Sequence, residues 1–213
     1  SYARIFNPQF KIDRSDALLP PIEGSNAELG VKGEWFAKRL NGSLAVFRTR
    51  QDNTAEFDIF TNGHSTYKPV HAQSTGFELD LAGRLAPGWE ASAGYTQMTI
   101  KDRTTGGPAR TYVPRKTLRA ATSYRLRALP ALKVGARMKW QDDIHRDQGA
   151  GIFSRQDAYA LLDLMARYDF NKNVSATLNL DNVTDEKYIT SLYWSQGYYG
   201  APRSASLSLN WQY

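Results

Sequence analysis

The chain has 213 residues and a formal net charge of +6, and its length fits one domain. No run approaches the roughly 18 apolar residues that a transmembrane helix needs, which excludes a helical membrane protein. The absence of cysteine excludes disulfides and thiolate metal sites, and the spread of Lys and Arg along the whole chain argues against a nucleic-acid partner.

Segment after segment alternates an apolar residue with a polar one, which is typical of β-strands with one apolar face. In 28–35, for example, Leu29 and Val31 alternate with Glu28 and Lys32. Each such segment is close to the ~9–11 residues with which a tilted strand crosses a bilayer. The pattern predicts about ten strands, at 1–9, 28–35, 42–52, 76–85, 89–100, 117–126, 132–140, 162–170, 174–181 and 203–213.

The predicted connections alternate in length. Short turns are expected at 38–41, 87–88, 127–130 and 171–173, and long loops at about 10–23, 54–72, 102–113, 142–156 and 184–201. Short turns on one side and long loops on the other are the pattern of outer-membrane barrels, whose long loops face outward. The 12 Tyr and 5 Trp suit the aromatic girdles of such barrels. The sequence therefore predicts an all-β, transmembrane antiparallel β-barrel.

Several segments resemble recurrent strands of TonB-dependent outer-membrane receptors. The run DNVTDEKY at 181–188 resembles the penultimate-strand motif of that family, and YGAPR at 199–203, with the alternating strand after it, resembles the last strand. Segments 2–9, 28–33 and 74–79 resemble other strands of the family. The segments also follow one another in the order that the family shows.

Within the family the chain looks most like ferric-siderophore receptors of the hydroxamate type. The resemblance implies a barrel of about 22 strands with an N-terminal plug, of which residues 1–213 are the C-terminal part. The plug, the earlier strands and the TonB box are not in this sequence, and Ser1 onward already reads as a strand. We expect a fragment or ordered remainder of a longer protein.

The resemblance further implies ferric-siderophore uptake across the bacterial outer membrane, energised by the TonB-ExbB-ExbD complex through the missing N-terminus. No enzymatic reaction, cofactor or resident metal is expected. Outer-membrane lipid and lipopolysaccharide are expected partners, and nucleic acid is not. The aromatic C-terminus, with Trp211 and Tyr213, resembles the signal that the barrel-assembly machinery recognises, although Phe is commoner at the last position.

Ligand capture is expected on the long loops, because rigid barrels display function there. Aromatic rings can bury the apolar surface of a ferric siderophore, while Tyr, Trp and Arg donate hydrogen bonds to its oxygen atoms. The aromatic cluster is densest at 193–199. The predicted ligand-binding residues are Tyr193, Trp194, Tyr198, Tyr199, Tyr67, Phe60, Tyr112, Arg110, Phe153 and Arg146. For any single tyrosine, a place in the membrane girdle is the alternative.

Two other functions stay open at this stage. Asp143 and His145 have the spacing found in outer-membrane proteases, which are closed ten-stranded barrels, but the second acidic pair that such catalysis needs is not evident. A passive specific porin is the other alternative, and a plug upstream would argue against it. Pairing of 1–9 with 203–213 would indicate a closed barrel of ten strands, and its absence a larger one.

Overall fold

The alternating segments form long β-strands. The computed structural model describes residues 1–149, 151–193 and 197–213. Within these residues the strands are β1 (Tyr2–Asn7), β2 (Ile22–Trp35), β3 (Leu40–Thr61), β4 (His64–Ala86), β5 (Trp89–Asp102), β6 (Lys116–Arg125), β7 (Leu132–Gln141), β8 (Ile144–Gly149), β9 (Ile152–Gln156), β10 (Tyr159–Asp169), β11 (Val174–Asp181) and β12 (Ser204–Trp211). No helix among the described residues is long and apolar enough to cross a membrane.

The main sheet contains ten strands, which confirms the predicted number. Its order is β1-β2-β3-β4-β5-β6-β7-β10-β11-β12, while β8 and β9 form a separate two-stranded hairpin. Neighbours are antiparallel, as between β1 and β2 and between β11 and β12. The order is linear, with β1 and β12 at its two ends. It is the order of part of a larger barrel and not the closed ten-stranded order that the protease alternative requires.

Backbone contacts divide the chain into two compact units. The first comprises Ser1–Gly30, Ala45–Phe77 and Met98–Arg110, and the second comprises Val31–Leu44, Glu78–Gln97 and Thr111–Tyr213. The first unit therefore contains β1 and the segment predicted as the 54–72 loop, and the second contains all strands from β6 to β12.

The strand register of the second unit confirms the predicted apolar face. Leu118 lies opposite Trp140 across β6 and β7, and Leu178 lies opposite Leu207 across β11 and β12. Leu207 and Leu209 are 67% and 73% exposed. A water-soluble sheet would bury such side chains in a core, so these rows need lipid against them.

The opposite face of the same strands carries ion pairs. Arg137 Nε lies 2.9 Å from Asp163 Oδ2, and Arg125 Nη1 lies 3.2 Å from Asp169 Oδ2. Exposed pairs of this kind contribute about 0–1 kcal/mol each, so they do not hold the sheet together. They do show that this face is built for contact with water, as the lumen of a barrel requires.

Two predicted loops are wrong, because both contain strands. The 54–72 segment is an extension of β3 and β4, which continue to Thr61 and from His64 around a turn at Asn62 and Gly63. Both turn residues have positive φ, 51° and 79°, as the commonest two-residue hairpin turn requires. The 142–156 segment holds the β8–β9 hairpin. Mixed charged and aromatic residues obscure the alternation in both places.

The backbone of β3 departs from regular strand geometry at Asn53. This residue has a left-handed φ of 62°, which asparagine tolerates better than most residues. Arg110 Nη2 donates to both Gln51 Oε1 at 2.7 Å and Thr54 Oγ1 at 3.1 Å. In a regular strand, positions three apart lie on opposite faces. The departure at Asn53 therefore brings Gln51 and Thr54 within reach of the same donor.

The end of β11 is tied to the segment before β12 by Asn182, which is 4% exposed. Its Nδ2 donates to the carbonyls of Glu186 at 2.9 Å and Ala201 at 3.2 Å, and its Oδ1 accepts the N–H of Glu186 at 2.9 Å. Asp185 Oδ1 accepts the N–H of Arg203 at 3.1 Å. The DNVTDEKY motif therefore has a structural role, because its hydrogen bonds fix the position of the segment between β11 and β12.

We predict that Asn182→Ala lowers the free energy of unfolding by about 2 kcal/mol, because it leaves buried backbone groups without partners. Urea unfolding of the intact protein in lipid vesicles measures this change. Asn179→Ala is the matched control in the adjoining strand β11, since the one hydrogen bond of its amide among the described residues is a 3.5 Å contact with Ser206. Equal stability of the two variants would contradict the structural role of the Asn182 hydrogen bonds.

Candidate functional site

Three predicted residues of the second unit meet in one arginine–tyrosine cluster, formed by Tyr112, Arg146 and Tyr193. The guanidinium carbon of Arg146 lies 5.2 Å from the centre of the Tyr112 ring and 6.0 Å from that of Tyr193. The two rings meet edge to face, with centres 5.3 Å apart and planes at 76°. Each contact is within the range of a cation–π or aromatic interaction.

Buried neighbours hold this cluster in place. Ile144 and Leu192 are each only 2% exposed. The N–H of His145 donates to the carbonyl of Thr111 at 3.1 Å, which ties β8 to the segment that carries Tyr112. Arg146 Nη1 donates to the carbonyl of Leu192 at 3.4 Å. The cluster thus joins three segments that are distant in sequence: 111–115, β8 and 189–193.

The charge of Arg146 is not cancelled by a carboxylate. Among the described residues no Asp or Glu forms an ion pair with it, and the one hydrogen bond found for it goes to a neutral carbonyl. A guanidinium carries five N–H donors, so several are left for an external acceptor. Beside two tyrosine rings, this cation suits a ligand that combines flat apolar surface with anionic oxygen atoms.

Aromatic residues in and near the predicted cluster at 193–199 include both framework and exposed side chains. The rings of Tyr159 and Tyr188 stack with centres 4.7 Å apart, and a Cβ added at Gly200 would fall within the Tyr188 ring. Tyr188 is therefore framework. Tyr198 and Tyr199 are 62% and 66% exposed. Their rings remain accessible for the predicted role in ligand binding.

Three further predicted residues, Tyr67, Phe60 and Arg110, belong to the first unit. Tyr67 makes an edge contact with Phe57, with ring centres 6.4 Å apart, and Lys11 Nζ lies 4.5 Å above its ring. Phe60 is 63% exposed near the hairpin turn. Arg110 donates hydrogen bonds to Gln51 and Thr54, on either side of Asn53 in β3.

The loop before β2 is fixed onto this unit. Asp13 Oδ1 accepts hydrogen bonds from the hydroxyl of Ser15 at 2.6 Å and from the N–H groups of Ser15 and Ala17 at 2.8 and 3.1 Å. These donors hold the pKa of the Asp13 carboxyl below its ordinary value, with the Ser15 hydroxyl as the main cause. The Arg14 guanidinium pairs with Asp58, and the hydrogen bond to this carboxylate raises the pKa of Arg14. The loop is thus an ordered part of the unit.

Four predicted residues lie on strands and not on loops, which corrects their placement. Phe60 and Tyr67 belong to β3 and β4, and Arg146 and Phe153 to β8 and β9. Phe153 is 62% exposed. Trp194 lies outside the described residues. The role of each residue in ligand binding stays a prediction.

The sequence did not predict two lysines whose ammonium groups lie over tyrosine rings. Lys187 Nζ lies 4.7 Å from the centre of the Tyr199 ring, as Lys11 does above Tyr67 at 4.5 Å. Lys187 directly precedes Tyr188, shortly before the densest aromatic segment at 193–199, which was an available signal. Lys11 and Tyr67 are distant in sequence, so no local pattern joined them.

The C-terminal aromatic pair is exposed. The Trp211 and Tyr213 rings have centres 6.1 Å apart, and Trp211 is 74% exposed. This arrangement leaves both rings accessible, and their role as an assembly signal stays a prediction. Among the described residues, no group of three or more His, Asp or Glu side chains is arranged to hold a metal ion.

Comparison with known proteins agrees with this architecture. A family model described as "TonB dependent receptor-like, beta-barrel" matches residues 1–183. The ferripyoverdine receptor of Pseudomonas aeruginosa is 38% identical over 100% of this chain and 28% of its own length. The ferric-pyoverdine BN7/BN8 receptor of Pseudomonas putida is 40% identical over 100% of this chain and 26% of its own length. The chain thus spans less than a third of these relatives.

Solved structures show the same fold. The pyoverdine outer-membrane receptor of Pseudomonas aeruginosa, bound to pyoverdine, superposes with a TM-score of 0.87 at 37% identity, over 100% of this chain and 33% of the other. The alcaligin outer-membrane receptor of Bordetella pertussis superposes with a TM-score of 0.64 at 40% identity, over 85% and 31%. The lipid-demanding apolar rows, the linear sheet order and these matches lead to one conclusion: the chain is outer-membrane β-barrel wall and belongs to the TonB-dependent receptor family.

Proposed function

We propose that this chain is the C-terminal barrel wall of a receptor that takes up a ferric siderophore, driven by the TonB-ExbB-ExbD complex. We assign residues 1–213 to one portion of a barrel of about 22 strands. Relatives are named as ferripyoverdine, ferric-pyoverdine and ferrioxamine B receptors, which supports a siderophore as the ligand. The receptor performs no chemistry on that ligand.

The observation that carries the proposal is the arginine–tyrosine cluster. Arg146 presents a positive charge with free donors beside the rings of Tyr112 and Tyr193. A ferric chelate offers oxygen atoms with partial or full negative charge on a largely apolar body. The guanidinium binds those oxygens, while the rings cover the apolar surface and exclude water, which strengthens the charged hydrogen bonds.

Removing this charge tests the cluster. We expect Arg146→Gln to weaken ferric-siderophore binding by the intact receptor about tenfold, since a charge-assisted hydrogen bond is worth at least the 1.4 kcal/mol of a tenfold change. Quenching of intrinsic Trp fluorescence during titration measures the affinity.

Arg155→Gln is the matched control. Arg155 lies on the same hairpin, opposite His145, and is exposed. Its replacement removes an identical charge without touching the cluster, so the affinity should change less than about twofold. An Arg146→Gln receptor that is folded and binds as tightly as this control would assign Arg146 to loop packing.

The class of siderophore is a finer proposal, for which we name hydroxamates. Relatives include receptors named for ferrioxamine B and one named as a catecholate siderophore receptor, so the family includes receptors for more than one class of siderophore. We expect the intact receptor to bind a ferric trihydroxamate at least about tenfold more tightly than a ferric catecholate of similar size. Quenching of its Trp fluorescence measures both affinities. Quenching by the catecholate alone would overturn the hydroxamate class and leave siderophore uptake standing.

Energy coupling separates a TonB-driven receptor from a passive porin. We expect a strain that lacks TonB to bind the radiolabelled ferric siderophore at its surface but to accumulate none inside. A strain expressing TonB is the control. Uptake that survives the loss of TonB would support the porin alternative and argue against active transport.

A further inference from the structure

A basic cluster lies on the first unit, on the face of the sheet that carries apolar side chains. It consists of Arg48, Arg50, Gln73 and Lys101. Arg48 and Arg50 follow Val46 at steps of two along β3, so all three side chains lie on one face. Val46 is 51% exposed, as a lipid-facing residue is.

The two arginines converge on one neutral oxygen. Arg48 donates to Gln73 Oε1 from Nε at 3.0 Å and from Nη2 at 2.7 Å, and Arg50 donates to the same oxygen from Nε at 3.2 Å. An amide oxygen has two lone pairs, which is fewer than these three donors need. Two like charges are therefore held together over an acceptor that can neither neutralise nor fully satisfy them.

Lys101 extends the cluster across the next strand. The N–H of Arg103 donates to the carbonyl of His71 at 2.7 Å, which sets β4 and β5 side by side at this level. In an antiparallel pair, residues remain opposite each other when one steps back along one strand and forward along the other by the same number. Lys101 lies two residues before Arg103. It therefore lies opposite Gln73, which lies two residues after His71. The ammonium group of Lys101 thus adds a third cation to the same row.

Asp52, two residues after Arg50 along β3, is already engaged. Asp52 Oδ1 lies 2.6 Å from Arg103 Nη1 and 3.0 Å from His71 Nδ1. Within the described ranges, no Asp or Glu forms an ion pair with Arg48, Arg50 or Lys101. The cluster therefore keeps a charge of three cations on the outer side of the sheet.

The other face of β3 has a different set of contacts. There the Thr49 hydroxyl donates to Asn26 Oδ1 at 2.7 Å, and Gln51 receives the hydrogen bond from Arg110. The basic cluster is thus separated from the lumen by the thickness of the sheet. A ligand for it must approach from the lipid side.

We propose that this cluster binds the phosphate groups of a lipopolysaccharide molecule in the outer leaflet. The first charged position, Arg48, is one outward-facing step of about 6.6 Å beyond Val46. Thus the cations begin where the apolar face ends, at the level where a lipid places its phosphates above its acyl chains. Guanidinium groups bind phosphate in a bidentate manner, and two of them with a lysine match a diphosphorylated headgroup.

The test measures binding of diphosphorylated lipid A to the intact receptor in detergent by native mass spectrometry. We expect the triple variant Arg48→Gln, Arg50→Gln, Lys101→Gln to bind lipid A about 100-fold more weakly than the unmodified receptor. Lipid A without its phosphates should bind the unmodified receptor as weakly as it binds the triple variant. Raising the salt concentration should weaken binding of the phosphorylated form only.

A second triple variant, Lys32→Gln, Arg119→Gln, Lys139→Gln, is the charge-matched control on the polar face, and it should retain lipid A within about twofold. Ferric-siderophore binding reports that each variant is folded, and Arg50→Gln alone replaces the triple variant if that variant does not fold. Equal retention of phosphorylated and dephosphorylated lipid A would overturn the proposal. So would displacement of lipid A by inorganic phosphate at millimolar concentration, which would indicate a free-anion site.

Discussion

The constraint on which this structure depends is that no backbone N–H or C=O is left unpaired in hydrocarbon. It accounts for strands that pair along their whole length and for side chains that alternate between lipid and water. Among the strands that the structure describes, β1 and β12 each have a neighbour on one side only. In lipid such an edge must be covered by further strands, which fits a chain that spans less than a third of its relatives.

The proposed binding residues are positioned on this wall by a few specific ties. Asn182 fixes the segment after β11, and the contact of β8 with Thr111 brings Arg146 against two tyrosine rings. Neither tie contributes to crossing the membrane. The strands therefore supply rigidity, and a few hydrogen bonds at their ends determine which side chains come into contact. This division allows loops to change while the strands stay the same.

The sequence predicted the strands because alternation is a local signal. The ten strands of the main sheet and their apolar faces are confirmed. The extensions of β3 and β4 beyond the membrane were missed, since no lipid there demands an apolar face. The meeting of Tyr112, Arg146 and Tyr193 could not be predicted either, because it depends on how three separate segments pack. DNVTDEKY was recognised as a motif, but only the hydrogen bonds of Asn182 show that its work is structural.

The left-handed backbone at Asn53 lies inside a strand of 22 residues, which is longer than a tilted strand needs to cross a bilayer. A residue with positive φ turns the chain, so the side chains that follow it are released from the strict alternation that lipid imposes. The outer end of β3 can thus change its exposed surface while the membrane-spanning part of the strand stays the same.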